Sequence, residues 1–429
     1  MKRTIKIPIH YNLTKSKLSK LDKLTARLSY GVQLFLEIIK REEIYTRTTL
    51  TPFENEITKR TKLSSAYIQQ CKDKAIWMYK SYKKQHKKWE NKCKYAKGKY
   101  KLKLLKRKPS FPQTDKIPVR LDYRTAQIKQ IKKNLTSLWL NLSTLKKYNK
   151  ILIPLNPSNY HISRLGKIID CELVKKDKYY LHVTCEYHTS KQMVKNVRSI
   201  DLGINRSVTT VLLTPVENQI KILKEKEKKH KIEKLDNLIG KLQNKGNYKK
   251  LKQVREKRKN FIEDQERKLA KYIATISKES LVAIGHPKGI KYGSYKGNGN
   301  KKLRKKIHKW AYYRISSYIA QACEKQGIEA IQVKEYNTSK TCSKCQSMDT
   351  KRPYKNNYSL FKCKNCGKIS NADVNACYNI ARRSIGNKSF SGLVSDEHAL
   401  TADDLLQKGV SAETSLRTEC VNAQSFRAE

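Results

Sequence analysis

The sequence predicts an α+β chain of several domains, and three observations carry that expectation. Two cysteine pairs, Cys342-Ser-Lys-Cys345 and Cys363-Lys-Asn-Cys366, stand at the spacing of a zinc ribbon and are followed seven residues later by an acid, Asp373. An earlier acid, Asp201, ends a strand-like run and enters a turn at Gly203. Around them the pattern alternates between period-two and helical hydrophobic spacing. At 429 residues the chain has room for about two to four domains with a proper core.

Residues 1–11 read as one β-strand with nothing beside it to pair with. Leu18, Leu21, Leu24, Leu28, Val32, Phe35 and Ile39 then recur at helical spacing. A second helix runs from about Ser64 to Tyr95, with Tyr67, Cys71, Met78, Tyr82 and Trp89 in a stripe among lysines. That stripe is read either as a bundle core or as a surface where aromatics stack on bases and lysines hold phosphates; both fit opposite faces. Pro109, Pro112 and Pro118 mark a boundary. Strands are expected after it at Val119–Tyr123, Leu138–Leu142, Ile151–Leu155, Ile168–Val174 and Tyr179–Tyr187. The lone first strand would complete their sheet, which makes the helical segment an insertion.

From Ser199 the pattern changes again. Further strands are expected at Val208–Leu213, Ile220–Leu223, Leu281–Ile284 and Ile328–Val333. Lys224 to about Lys278 reads as a charged helical pair broken near Asn244-Lys245-Gly246-Asn247, and about Lys301–Gln326 as another helix. Residues 386–429 hold seven acids and four bases without a periodic core, and are expected to be a disordered tail.

Charge narrows the function. The chain carries 94 Lys plus Arg against 37 Asp plus Glu, a formal +57. Repulsion on that scale calls for a polyanionic partner, and phosphate backbones supply one. No run approaches a membrane span, and the N-terminus lacks a signal core, so no membrane partner is expected. Eleven cysteines, an odd number, argue against a disulfide framework and for a reducing cytoplasm. Cys71, Cys93, Cys171, Cys185, Cys323, Cys377 and Cys420 show no paired spacing and read as small hydrophobes.

Cys342, Cys345, Cys363 and Cys366 are the expected ligands of one structural Zn²⁺. Acid, long interval, zinc ribbon, acid is an order that suits an RNase H-like domain with the ribbon inserted before its last acidic residue. In such a domain carboxylates meet at one sheet edge and hold divalent ions for phosphodiester cleavage. Hard oxygen ligands suit Mg²⁺, so the cysteines are not participants. Taken alone, Asp201 reads equally as a turn residue.

With these pieces in place the chain resembles the TnpB family of RNA-guided endonucleases, related to Fanzor and to compact type V CRISPR effectors. The matching runs are SIDLGINRSVTTV at 199–211, LVAIGHPKGI at 281–290, YNTSKTCSKC at 336–345 and FKCKNCGKISNADVNACYNIARR at 361–383. The resemblance implies a wedge domain formed by 1–11 and 111–195, with a helical recognition domain at 12–110 inserted. It implies a RuvC-like nuclease domain at 196–337 and 371–385, interrupted by a zinc ribbon at 338–370 that binds target nucleic acid. It further implies a guide RNA and double-stranded target DNA as partners, a monomer with its RNA, and a prokaryotic, nucleoid-associated location. The expected activity is metal-dependent, RNA-guided DNA cleavage beside a short motif read by the protein.

One position departs from the family. A glutamate usually follows the fourth RuvC strand, and here Gly285 stands there, followed by His286 and Pro287. The next strand ends at Lys334-Glu335, and parallel neighbours lie about 4.8 Å apart, so Glu335 reaches the same edge. This resembles a rearranged site in some TnpB and Fanzor branches. The expected Mg²⁺ ligands are therefore Asp201, Glu335 and Asp373. Glu279, before the strand, lies at its wrong end. His286 reads as structural. Lys305, Lys306, His308 and Trp310 read either as a nucleic-acid flank or as a solvated basic face with Trp310 packed inward. The rival functions are a nuclease-inactive RNA-guided repressor, which Gly285 favours, a conventional transposase, and a structural RNA-binding protein.

Overall fold

The computed structural model describes residues 2–9, 13–114, 117–131, 136–145, 149–204, 206–214, 216–287, 306–352, 359–386 and 419–422. The chain divides into two compact units, Met1–His188 and Thr189–Glu429.

In the first unit, β1 (Lys2–Pro8) leads into α1 (Lys15–Glu42), α2 (Arg47–Leu50), α3 (Glu54–Thr61), α4 (Ser65–Tyr95) and α5 (Gly98–Leu105). Then follow β2 (Val119–Leu121), β3 (Ala126–Gln130), β4 (Leu138–Ser143), β5 (Lys150–Pro154), α6 (Asn159–Ile162), β6 (Lys167–Lys175) and β7 (Tyr179–Glu186). The first strand finds its partner almost the whole chain length of the unit away: β1 pairs antiparallel with β7 from Lys2–Glu186 to Pro8–Tyr180. Alternation explains β7, where Tyr179, Leu181, Val183 and Cys185 face inward. Two sheets form rather than one, in the orders β1-β7-β6-β2 and β3-β4-β5. Strand β3 went unread because Ala126–Gln130 presents little but Ile128 to a core and serves as an edge for β4.

Helix α1 starts at Thr14, whose hydroxyl accepts from Lys17 N, and buries Leu21, Leu24, Leu28, Val32, Phe35 and Ile39 along one stripe. These pack with Tyr67, Ile68, Cys71 and Ala75 of α4 and with both sheets in one continuous core. The helical segment therefore shares the core of the strands rather than building its own.

In the second unit, β8 (Asn196–Asp201), β9 (Val208–Leu213) and β10 (Asn218–Lys224) form an antiparallel meander. A hairpin of α7 (Lys226–Asn244) and α8 (Tyr248–Ile276) turns at Gly246, which has a φ of 66°, and Asn247 caps α8 through Lys250 N. Strand β11 (Ser280–His286) lies parallel to β8, and after α9 (Tyr312–Lys325) comes β12 (Ala330–Lys334), parallel to β11. The sheet order is β12-β11-β8-β9-β10. Strands β8, β9 and β11 are covered on both faces, which is why they read as unbroken apolar runs. One face packs Ile200, Ile284, Leu269, Ile273, Ile315 and Ile319 with α8 and α9.

A small sheet of β13 (Thr350–Lys351), β14 (Leu360–Cys363) and β15 (Ile369–Asn371) follows, with its own core of Cys342, Phe361, Cys363 and Ala372. Helix α10 (Ala372–Gly386) then covers the other face of the large sheet, joining Val197, Val211, Leu213, Val374, Cys377 and Ala381. Two expectations shift. The helix read at 301–326 is interrupted at residues 310 and 311, before α9 begins at Tyr312, and 301–305 lie outside the described residues. Most of the expected disordered tail also lies outside them, but Glu419–Asn422 forms β16, parallel to β10. That corrects the reading for four residues: the open edge of β10 takes a sixth strand onto the sheet by backbone pairing, which composition does not report.

Candidate metal centres

Asp201 is the last residue of β8, at the edge where β11 and β12 also end. Its turn is tight: a Cβ on Gly203 would lie 2.5 Å from the carbonyl oxygen of Arg206. Glu335 follows β12 directly, and its backbone carbonyl accepts from the amide and hydroxyl of Thr338. The side chain folds back over Gly285, where a Cβ would meet its Cγ and Cδ at 2.8 Å. Glu335 Oε1 is buried and has no hydrogen-bond partner among the described residues.

The carboxyl groups of Asp201 and Glu335 face each other within hydrogen-bonding reach. Both are raised above the ordinary carboxylate range, first by burial. For Asp201 the charge of Asp373 adds to this, while the hydrogen bond with Glu335 opposes it. For Glu335 the charge of Asp201 adds to it. Two buried acids facing each other in this way can share a proton.

Asp373 stands in the first turn of α10, where the helix dipole favours an anion. Asn371 caps that turn: its Oδ1 accepts from Asp373 N at 2.9 Å. Asp373 Oδ2 accepts from Arg206 Nη1 at 2.8 Å. One helical turn on, the buried Cys377 donates to Thr209 O and lies near both acids. An orphaned carboxylate oxygen, a pair of acids raised by burial and mutual charge, and an all-oxygen donor set fit a hard divalent cation. Among the described residues, however, Asp373 is not drawn into one tight cluster with the other two; it is engaged by Arg206.

The sulfurs of Cys342, Cys345, Cys363 and Cys366 all lie within 4.8 Å of one another. Cys342–Cys366 and Cys345–Cys363 are each 3.6 Å apart, close to the about 3.8 Å that a tetrahedral zinc with sulfur ligands requires. The two knuckles repeat one geometry. Cys342 N donates to Ser347 O and Cys363 N to Lys368 O, each at 2.9 Å. The residue after each pair, Gln346 or Gly367, has a left-handed φ of 59° or 71°. Below the first knuckle, α10 supplies two buried amides. Asn375 Oδ1 accepts from Ser343 N, and Asn375 and Asn379 both donate to Thr338 O and Thr341 O.

Of the remaining candidates, Glu279 sits at the far end of β11 and pairs with Lys195 at 3.1 Å. His286 lies between Tyr312 and Tyr313, with ring centroids 5.8 and 5.9 Å away. Trp310 packs inward against the α8–α9 face, Lys306 and His308 are exposed, and Lys305 lies outside the described residues. Sequence reasoning missed Arg206 and the amides of α10. Asn371 was recognisable as a cap two residues before Asp373; the pairing of Arg206 depends on a contact 167 residues apart.

In the first unit the far half of α4 carries a run of ring contacts: Tyr45–Tyr79, Tyr79–Tyr82, Tyr82–His86 and His86–Trp89, joined by Phe111. Lys83, Lys87, Lys94 and Lys101 line the open groove beside it. Tyr67 and Cys71 are core, so the two readings of this stripe divide along the helix.

Residues 312–380 match the family model for the Cas12f1-like TNB domain. The chain is 26% identical over 236 residues to a TnpB-like protein of Aquifex aeolicus, covering 48% of this chain and 74% of that one. It is 26% identical over 230 residues to the CRISPR-associated endodeoxyribonuclease Cas12f1 of Sulfoacidibacillus thermotolerans, covering 48% of this chain and 50% of the relative. A TnpB-like protein of Acanthamoeba polyphaga mimivirus is 29% identical over 222 residues, with 48% and 41% covered. The chain thus spans half the length or less of the latter two. Among solved structures it is similar to a Cas12f1–sgRNA–target DNA complex, with a TM-score of 0.34, 17% identity and coverage of 89% of this chain and 99% of that one. About half of the chain is thus similar to the TnpB-like proteins and to Cas12f1, in keeping with its motifs.

Proposed function

We propose that this relative of the TnpB-like proteins and Cas12f1 is an RNA-guided DNA endonuclease whose hydrolytic centre is built from Asp201, Glu335 and Asp373. The observation that carries the reading is the carboxyl of Glu335 lying over Gly285 and facing Asp201 at the edge where β8, β11 and β12 end together. The sheet order β10-β9-β8-β11-β12, three antiparallel strands and two parallel ones, supports an RNase H-like domain. Bound Mg²⁺ would supply charge neutralisation and an activated water. The chain's own part is to present three oxygen donors: Asp201 from a strand end, Glu335 from the neighbouring strand end, and Asp373 from a helix N-terminus that stabilises its charge.

Cys342, Cys345, Cys363 and Cys366 would hold Zn²⁺ as a folding element of the ribbon. The basic surface would hold guide RNA and double-stranded target DNA, with aromatic rings of α4 offered to bases and lysines to phosphates. Among the described residues no helix is long and apolar enough to cross a membrane.

The test uses protein co-expressed with the RNA encoded beside its reading frame. Mg²⁺-dependent cleavage of a matched duplex, lost in Glu335→Ala while guided binding survives, is the expected result. Guided binding by the wild type without any cleavage would establish the repressor reading instead, which the missing acid at Gly285 favours.

A further inference from the structure

Asp201 and Glu335 face each other, but Asp373 is held by an arginine. Arg206 Nη1 donates to Asp373 Oδ2 at 2.8 Å and to Asn371 Oδ1 at 3.1 Å. Among the described residues the four cysteines form a close group of ligand atoms, and the three carboxylates form no such group. Arg206 is fixed at its backbone by the turn after Asp201, where Gly203 leaves no room for a side chain against the Arg206 carbonyl. Its side chain is only 21% exposed. A guanidinium stays charged, so it leaves a carboxylate by moving and never by losing a proton. A divalent cation bound through Asp373 Oδ2 would compete with this guanidinium.

We propose that Arg206 is a displaceable counterion of Asp373, which keeps the third carboxylate away from the Asp201–Glu335 pair until an incoming cation takes its place. The proposal rests on the reading of these acids as a Mg²⁺ site. It makes Arg206 a positioning residue that sets the cation concentration at which the centre assembles. Arg352 also faces Asp373 and is anchored separately to Ser339 O at 3.0 Å, so a second positive charge remains near Asp373 while Arg206 moves.

Mn²⁺ is the probe, titrated into RNA-free full-length protein and followed by the electron paramagnetic resonance signal of the free ion. The binding component that disappears in an Asp201→Asn/Glu335→Gln double variant reports on the acids. In Arg206→Ala that component should tighten by about tenfold, within the usual range for competing ligands. Arg206→Gln should tighten likewise, because it removes the charge and keeps a donor for Asn371. The Mg²⁺ concentration giving half-maximal cleavage should fall by the same factor. Affinity that is unchanged or weaker in both variants, with zinc content intact, overturns the proposal and leaves Arg206 as a brace for the start of α10. If wild type has no Mn²⁺ component that depends on Asp201 and Glu335, the metal reading itself fails and the proposal falls with it.

Discussion

The carboxyl of Glu335 and a side chain at position 285 exclude each other. Gly285 is aligned with Val333 across the β11–β12 pair, and the side chain of Glu335 returns across it, so that any Cβ there would stand 2.8 Å from Cγ and Cδ. The missing glutamate and the extra glutamate are therefore two halves of one arrangement. An acid placed at 285 and an acid at 335 compete for a single space beside Asp201.

Gly285→Ala should displace the Glu335 carboxyl without harming the fold, because the clash is with a movable side chain. Target cleavage should fall by about 100-fold or more, a loss typical of a displaced catalytic group. Thermal stability and guided binding should stay close to wild type. In a Glu335→Ala background the space is vacated, and Gly285→Glu should recover part of the cleavage. Normal cutting by Gly285→Ala would remove Glu335 from the site.

The raised acids predict a pH dependence with a definite sign. Asp201 and Glu335 are lifted above the ordinary carboxylate range by burial and by neighbouring acids. Each therefore holds more protons folded than unfolded, and the metal-free protein loses stability as pH climbs from roughly pH 4 through the raised values. Melting temperature in chelator should decline across that window, and Mg²⁺ should restore most at the alkaline end. Glu335→Gln should flatten the decline. A wild type and variant with identical pH profiles would contradict the shared-proton arrangement.

Legibility followed locality. The paired cysteine knuckles and the strand-end position of Asp201 are written in contiguous residues, and so could be read, whereas the helix whose first turn carries Asp373 was not read. The place of Glu335 beside Asp201 was legible because parallel strands ending together bring neighbouring ends to one edge. Strand β3 was not, since an edge strand needs only one apolar side chain such as Ile128. The split of the first unit into two sheets was hidden because alternation fixes which face is buried but not which strand is the neighbour. Arg206 escaped because it is one of 21 arginines, and only the fold says which one meets Asp373.

Salt and side-chain changes should separate the two components of nucleic-acid binding. Lys87→Ala in the groove beside α4 should weaken RNA binding and make its logarithmic salt slope shallower by about 1. Tyr82, which contacts Tyr79, His86 and Phe111, contributes a stacking face and no charge. Tyr82→Ala should cost about 1–3 kcal/mol of affinity with the slope unchanged. Equal effects of both variants on the slope would rule out stacking at this groove.

The ribbon should control Asp373 through the polar face of α10. Asn375 and Asn379 are buried, and their amides satisfy Thr338 O and Thr341 O beneath the Cys342 knuckle. They lie one and two turns along the same helix whose first turn holds Asp373. Loss of zinc would free the knuckle, disturb the acceptors of these amides, and loosen the helix that presents the acid. Cys342→Ser should therefore abolish stoichiometric zinc and lower cleavage although Cys342 is not one of the proposed acid ligands. Asn379→Ala tests the linkage more finely, because it leaves all four thiolates in place. It should retain zinc, lose about 1–2 kcal/mol of stability from buried hydrogen bonds, and raise the Mg²⁺ concentration needed for cleavage. Full zinc with an unaltered Mg²⁺ requirement in Asn379→Ala would show that the ribbon and the carboxylates do not communicate through α10.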